Sequence, residues 1–357
     1  LLEKCDSQKM YKIYDDWPNL AKKAYNSDLE SIHFEGIDHI VFAGMGGSGA
    51  IGDLLNAIFS KTNVHVSLIK GYVLPKTIDK NTLVICTSIS GDTIETLSIL
   101  EQIKNLNCKK FAISSGGKIE QFCNGTSIKY FKIPMIHSPR GSFPVFLYKM
   151  LQILESILPL TRTEIVDSIE DMKSLQKQIN STNLDESNPA LDIASCITGI
   201  PMILYPHGFQ VAAIRFKNSL QENAKNHAMI EDVIETCHNG IVSWERKSDV
   251  FPILIEGEDD HIKTKERWLI LKEFFQQNKI EYKEIHSTSG NILSKLVTGS
   301  PLQVDVSANF LLYDTFTIGA AYRWSSAVSA MAGFQITDSL LLGVAYDADK
   351  TELNTTL

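Results

Sequence analysis

The chain has 357 residues, 44% of them hydrophobic and 21% charged, an ordinary globular composition with length enough for two domains. Its formal net charge of -8 and pI near 5.6 argue against nucleic acid or an anionic membrane surface as partner, since either selects a basic face. The six cysteines form no CxxC pair and several lie in apolar runs, as reduced packing thiols do in a cytosolic protein; neither a secretory leader nor a spanning helix is expected.

In chain order, short β-branched runs alternate with helical patterns: a strand over His39 to Ala43, a helix from Ser48, and strands over Val64 to Ile69 and Leu83 to Thr87. A helix from Thr93 and a strand over Lys110 to Ser114 follow. Such alternation predicts a doubly wound parallel sheet. Helical segments over about 142 to 180 and the turn-forming patch from Ser181 to Pro189, which carries a helix-start signature, join it to a second α/β lobe. That lobe is predicted from a strand over Pro201 to Tyr205, a long helix from Phe209 to Lys225, a strand over Val250 to Ile255, a helix from Thr264 to Gln277 and a strand over Tyr282 to Ile285. From Val304 onward the pattern changes, with apolar residues at even positions through Tyr346 and polar ones between. Period-two alternation with turns at Tyr313-Asp314, Ser325-Ser326 and Asp338-Ser339 predicts an antiparallel four-strand meander.

Two loops carry the chemistry of the first lobe. Gly44-Met45-Gly46-Gly47-Ser48-Gly49 satisfies G-x-G-x-x-G at a strand-to-helix junction, but the dinucleotide fingerprint also needs an acid at the end of the second strand. That strand ends Ser67-Leu68-Ile69-Lys70 instead. The loop therefore reads as an anion site, its glycines letting backbone amides approach a phosphate at a helix N-terminus, with the Ser48 hydroxyl beside them. Ser88-Ile89-Ser90-Gly91-Asp92-Thr93 stands at a second such junction, where open α/β sheets bind ligands at the carboxyl ends of their strands. Ser88, Ser90 and Thr93 offer three hydroxyls to one phosphate; alternatively Ser90 and Asp92 build a turn and cap the following helix. Two anion-compatible loops on adjacent strand ends favour phosphate.

These loops resemble those of a sugar isomerase domain. Phe216-Lys217-Asn218-Ser219-Leu220-Gln221-Glu222-Asn223-Ala224-Lys225, followed by Glu235-Thr236-Cys237-His238-Asn239, resembles the bifunctional phosphoglucose/phosphomannose isomerase family, over about residues 10 to 297. The resemblance implies two flavodoxin-like sugar isomerase lobes, a homodimer in the cytoplasm, no cofactor or metal, and interconversion of aldose and ketose hexose 6-phosphates. It implies that Gly47, Ser48, Ser88, Ser90 and Thr93 bind the substrate's phosphate. Glu222 becomes the base that moves a proton between C1 and C2 through an enediol, His238 the group that opens the sugar ring, and Arg140 the cation facing the enediolate charge. The chain departs from the family at Phe216, where tryptophan is usual, and at Gly240, where glutamate often follows His-Asn.

Nothing after Val297 resembles the helical segment with which the family closes. The stretch from about 300 to 357, with Asn309-Phe310-Leu311-Leu312-Tyr313-Asp314 and Gly319-Ala320-Ala321-Tyr322-Arg323-Trp324, instead resembles outer-membrane PorP/SprF-like proteins. Four strands cannot close a barrel. Of a true fusion, a misjoined gene and a soluble β module packed on the α/β core, the second is favoured, and a membrane partner is expected only if the tail is genuine. The predicted organisation is a first lobe over 1–150, a helical connection over 151–187, a second lobe over 188–297 and a foreign β segment over 298–357. The expected function is cofactor-independent sugar-phosphate isomerisation. Its alternatives are a noncatalytic sugar-phosphate-binding regulator, which would have no use for Glu222 and His238, and, for the tail alone, an outer-membrane secretion component.

Overall fold

The most continuous apolar runs become strands buried on both faces, β1 (His39–Ala43) and β3 (Thr82–Ser88). With β2 (His65–Ile69), β4 (Lys109–Ser114) and β5 (Lys129–Lys132) they form a parallel sheet in the order β2-β1-β3-β4-β5, the doubly wound arrangement of a flavodoxin-like lobe. The computed structural model describes residues 6–29, 32–185, 187–287 and 293, together with the backbone of strands between 307 and 349.

Successive strand residues serve opposite layers. Ile40, Phe42, Leu83, Ile85, Phe111 and Ile113 face one core, and Val41, Ala43, Val84, Cys86 and Ala112 face the other. The first core is closed by α2 (Trp17–Asn26), α3 (Gly46–Phe59), α6 (Phe143–Ile153) and α7 (Arg162–Ile179), and the second by α4 (Ile94–Ile103) and α5 (Gly117–Asn124). In α6 every residue but Gln152 is buried, as in a helix enclosed on all sides. Thr161 and Glu164 form a reciprocal capping box at the start of α7, and Asn188 caps α8 (Pro189–Cys196) by accepting from the Ala190 amide at 2.9 Å. The short α1 (Met10–Asp15) packs against α2.

The second lobe repeats the plan on a smaller scale. Strands β6 (Ile200–Tyr205), β7 (Met229–Asp232), β8 (Val250–Gly257) and β9 (Lys283–Ser287) pair in parallel in the order β7-β6-β8-β9. Helix α9 (Gln210–Ser219) covers one face, while α10 (Val233–His238) and α11 (Ile262–Gln277) cover the other, where Trp268, Leu271 and Phe275 are buried. The single long helix expected to Lys225 is not continuous. It ends at Ser219 and widens into a π turn over Leu220–Ala224, because Lys225 takes a left-handed φ of 57° and the Asn226 amide reaches back to the Leu220 carbonyl at 3.3 Å.

Four further strands, β10 (Ser307–Leu312), β11 (Phe316–Arg323), β12 (Ala327–Thr337) and β13 (Leu340–Asp349), pair antiparallel in chain order. Phe310 lies opposite Ile318, which lies opposite Ala332, which lies opposite Val344, so these even positions share a face; a bulge interrupts the register between Gln335 and Thr337. The turns expected at 313–314, 325–326 and 338–339, and Val304 and Val306, lie outside the described residues. No helix among the described residues is long and apolar enough to cross a membrane. Cys86 and Cys123 are buried free thiols; burial pushes Cys86 well up and Cys123 to about 11, which makes them packing groups and not nucleophiles.

Two polar features sit within the first sheet. Asp53 on α3, 6% exposed, is neutralised by Lys70 at the end of β2, with Nζ 2.6 Å from Oδ2. Burial pushes the Asp53 carboxyl up, and the Lys70 ammonium opposes that shift. Lys70→Met should destabilise by about 2 kcal/mol, below the range for a wholly buried pair because the ammonium is partly solvated, and Asp53→Asn in addition should recover most of the loss. Urea midpoints of the two variants check this. The second feature is His39, buried on β1 with its Nε2 2.8 Å from Ser67 Oγ. Burial, and then the neighbouring His65, hold its imidazole below the ordinary value. A depressed histidine stabilises the fold above its unfolded pKa of about 6.5, and that stability drains as pH falls, since the unfolded chain then binds the extra proton. The melting temperature should therefore drop between about pH 7 and 5, and drop less in His39→Gln.

Candidate active site

The sheet order places the carboxyl ends of β1 and β3 side by side, with Ala43 paired to Cys86, at the point where the chain reverses its direction of travel across the sheet. Crevices open at such points. From β1 the chain turns through Gly44 and Met45 into α3, and no side chain caps that helix. From β3 it turns through the hydroxyl loop into α4, whose N-cap Thr93 makes no capping bond either. Two helix N-termini thus present amides without side-chain partners to one crevice, the arrangement that favours an anion.

The hydroxyls expected at the site meet there. Ser88 Oγ lies 2.7 Å from Thr93 Oγ1 and 3.4 Å from Ser90 Oγ, and it accepts the Gly91 amide at 3.1 Å. Ser48, buried in the first turn of α3, accepts the amide of Ile89 at 3.2 Å, which ties the glycine loop to the hydroxyl loop. The capping alternative for Asp92 is overturned: its Oδ1 accepts the amide of Lys118 at 3.1 Å, in the first turn of α5, and leaves α4 uncapped. Ser90 Oγ accepts the Asp92 amide at 3.4 Å and so builds the turn. Gly91 holds φ at 81° beneath the loop, and a Cβ there would collide with the Gly116 carbonyl.

The second lobe meets the first through α9 and the π turn after it. The Glu222 carbonyl, near the end of that helical run, accepts from Arg140 Nη1 at 3.0 Å and from Lys225 Nζ at 2.8 Å. Arg140 Nη1 also donates to Asn223 Oδ1 at 3.1 Å, and its Nε lies 3.4 Å from Glu222 Oε2. Arg140 stands in the loop between β5 and α6, which is braced by the Ser142 hydroxyl on the Ile136 amide at 2.8 Å and by the Trp17 indole on the Gly141 carbonyl at 3.0 Å. Seven residues before Glu222, the Arg215 side chain lies 8% exposed, its guanidinium carbon 4.1 Å from the centre of the Phe143 ring and 6.0 Å from that of Trp17. Burial pulls that guanidinium below the usual arginine value, against the opposing fields of Tyr14 and Glu222. Its Nη1 lies 3.5 Å from where a Cβ on Gly47 would stand.

His238 is exposed at the C-terminus of α10, and among the described residues no hydrogen bond or ion pair joins it to Glu222 or to the hydroxyl loop. Arg215 was missed in the sequence, although a lone cation within the apolar run Val211 to Phe216 is a legible signal. Glu256, Glu284 and His286 approach one another closely enough to hold a metal, but Lys272 already bridges the two carboxylates, at 2.5 Å and 2.8 Å.

Residues 33–124 match the SIS domain, residues 186–307 the bacterial phospho-glucose isomerase C-terminal SIS domain, and residues 271–357 the type IX secretion system membrane protein PorP/SprF. A bifunctional phosphoglucose/phosphomannose isomerase of Caldicellulosiruptor bescii is 27% identical over 80% of this chain and 88% of its own. One from Thermoplasma volcanium is 30% identical over 62% of this chain and 69% of its own. The chain belongs to the bifunctional phosphoglucose/phosphomannose isomerase family. It shares its fold with the C-terminal domain of glucosamine-fructose-6-phosphate aminotransferase from Francisella tularensis, at a TM-score of 0.62, 17% identity, and coverage of 82% of this chain and 93% of that one. Family and fold together make it a sugar-phosphate isomerase, and the crevice between β1 and β3 is where this member carries its paired loops. Gly91→Ala should cost at least ~2 kcal/mol through the left-handed φ and the blocked Cβ. Denaturant midpoints measure it, and a variant as stable as the parent would show that the loop is not held as described.

Proposed function

We propose that the chain interconverts glucose 6-phosphate or mannose 6-phosphate with fructose 6-phosphate, as a homodimer in the cytoplasm. The observation that supports this reading is the Glu222 carboxylate, 3.4 Å from Arg140 Nε in the middle of the π turn that follows α9. Gly47, Ser48, Ser88, Ser90 and Thr93 hold the phosphate, the inert end of the sugar. His238 opens the ring by exchanging a proton with the ring oxygen, a task suited to imidazole near neutrality. Glu222 then takes the proton from C2 of the open-chain aldose and returns it to C1, passing through an enediol. The electron pair left at C2 spreads onto the C1 carbonyl oxygen, Arg140 faces the charge that gathers there, and the proton of the C2 hydroxyl passes to the C1 oxygen as C1 is reprotonated, which leaves the ketose. Because Arg140 holds both the carbonyl and the carboxylate of Glu222, the base keeps one position through both transfers.

A noncatalytic sugar-phosphate regulator would bind the same ligand and leave it unchanged. A coupled assay of fructose 6-phosphate conversion separates the two readings, since only the enzyme yields glucose 6-phosphate. Glu222→Gln should lower turnover by roughly 10²- to 10⁴-fold while leaving glucose 6-phosphate affinity within a few fold. Exchange of the C2 proton with deuterated water should fall in parallel. Turnover undiminished in that variant would remove Glu222 from the role of base.

A further inference from the structure

The hydroxyl cradle is electrically neutral, yet a phosphoryl group near pH 7 carries about -1.5 to -2 charges. Three cations belong to the segments that build the site. Lys70 is held by Asp53 at 2.6 Å, and Arg140 faces Glu222 at 3.4 Å. Arg215 differs from both, because among the described residues its guanidinium has no hydrogen bond and no carboxylate partner, while only 8% of the residue is exposed. A buried, unpaired guanidinium costs several kcal/mol, and a structure keeps one where an incoming charge offsets the cost.

The surroundings of Arg215 show which charge that is. Phe143 and Trp17 lie against the guanidinium, with ring centres 4.1 Å and 6.0 Å from its carbon. Contact with the rings takes up none of its N–H donors by hydrogen bonding. One of those donors, Nη1, lies beside Gly47, 3.5 Å from the place a Cβ would occupy, at the first turn of the uncapped helix α3. Glu222 acts on Arg215 through its field but gives its carboxylate contact to Arg140.

We propose that Arg215 is a phosphoryl-binding residue of this site, closing the cradle opposite Ser88, Ser90 and Thr93 with a fork of donors that meets the phosphate oxygens. The second lobe then contributes to both ends of the substrate from one stretch of chain: Arg215 to the phosphate and Glu222 to the reacting carbons. This rests on the sugar-phosphate reading of the site.

The test is calorimetric titration of the intact chain with glucose 6-phosphate and with inorganic phosphate, comparing the parent with Arg215→Met and Arg215→Lys. Methionine keeps the packing against Phe143 without the charge, and lysine keeps the charge without the fork. Arg215→Met should weaken both ligands by roughly 10- to 100-fold, and Arg215→Lys should recover part of that loss. Thermal midpoints of the free proteins identify a variant that fails to fold; if the methionine variant does, the lysine variant decides, with glucose 6-phosphate at least about 5-fold weaker expected. A folded variant binding glucose 6-phosphate within about twofold of the parent overturns the proposal, and so does a fall in turnover with binding unchanged, which would assign Arg215 to the enediolate. A parent chain that binds no glucose 6-phosphate overturns the sugar-phosphate reading as well, so the two failures are told apart.

Discussion

The site depends on one pairing. Strands β1 and β3 lie parallel and adjacent although β2 comes between them in sequence, and their last residues stand in register, Ala43 opposite Cys86. A strand on its own delivers one helix start to the sheet edge; two adjacent strands deliver two, and the partial positive charge of each adds at the same crevice. Everything else in the first lobe preserves that adjacency. Ser48 bonds the Ile89 amide across the crevice, Asp92 anchors the hydroxyl loop to α5, and Gly91 provides the one backbone conformation that lets the loop pass beneath Gly116.

The second sheet has the same strand order and does not use it in the same way. Its own reversal point lies between β6 and β8, yet the crevice there is filled from within. A Cβ on Gly257 would stand 2.9 Å from the Phe209 ring, and Asp260 occupies the turn, accepting from the Gly257 amide at 3.1 Å and the Trp268 indole at 3.0 Å. What this lobe offers instead is the flank of α9 and the π turn after it. The Glu222 carbonyl is among the last four of the helical run, which have no partner in the ladder. Arg140 takes up that carbonyl, so a helix end fastens one lobe to the other at the place where chemistry is expected.

The parallel lobes were legible in the sequence because their strands are continuous apolar runs bounded by glycine and serine turns. The hydroxyls were legible because three of them crowd behind β3. Strands β5 and β7, four residues each and half of them charged, had no periodic signal and are set by pairing with longer neighbours. The π turn was hidden for a different reason: Leu220 to Ala224 has good helix propensity, and only the left-handed Lys225 and the pull of Arg140 on a carbonyl divert it. Arg215 stood out as a lone cation in the apolar run Val211 to Phe216, but the pattern alone does not separate a buried arginine from one that snorkels to the surface. Asp92 had the composition of a cap and a different partner, because capping is decided by which helix start lies nearest in space.

The two matches that overlap over residues 271–307 make competing claims on α11 and β9, and packing decides between them for the described part. Leu271 and Phe275 are fully buried beneath β8, and Phe275 packs against Trp244 and Tyr282 with ring centres at 5.3 Å and 5.6 Å. Lys272, on the same helix, is held by Glu256 of β8 and Glu284 of β9, an arrangement that needs both strands in parallel register, with Glu256 opposite His286. Removing residues 271–287 from this sheet would strip a core layer and leave Glu256 buried without its cation. They are therefore integral to the second isomerase lobe, and any change of architecture along the chain falls after Ser287, where parallel strands give way to the antiparallel pairing that begins at Ser307.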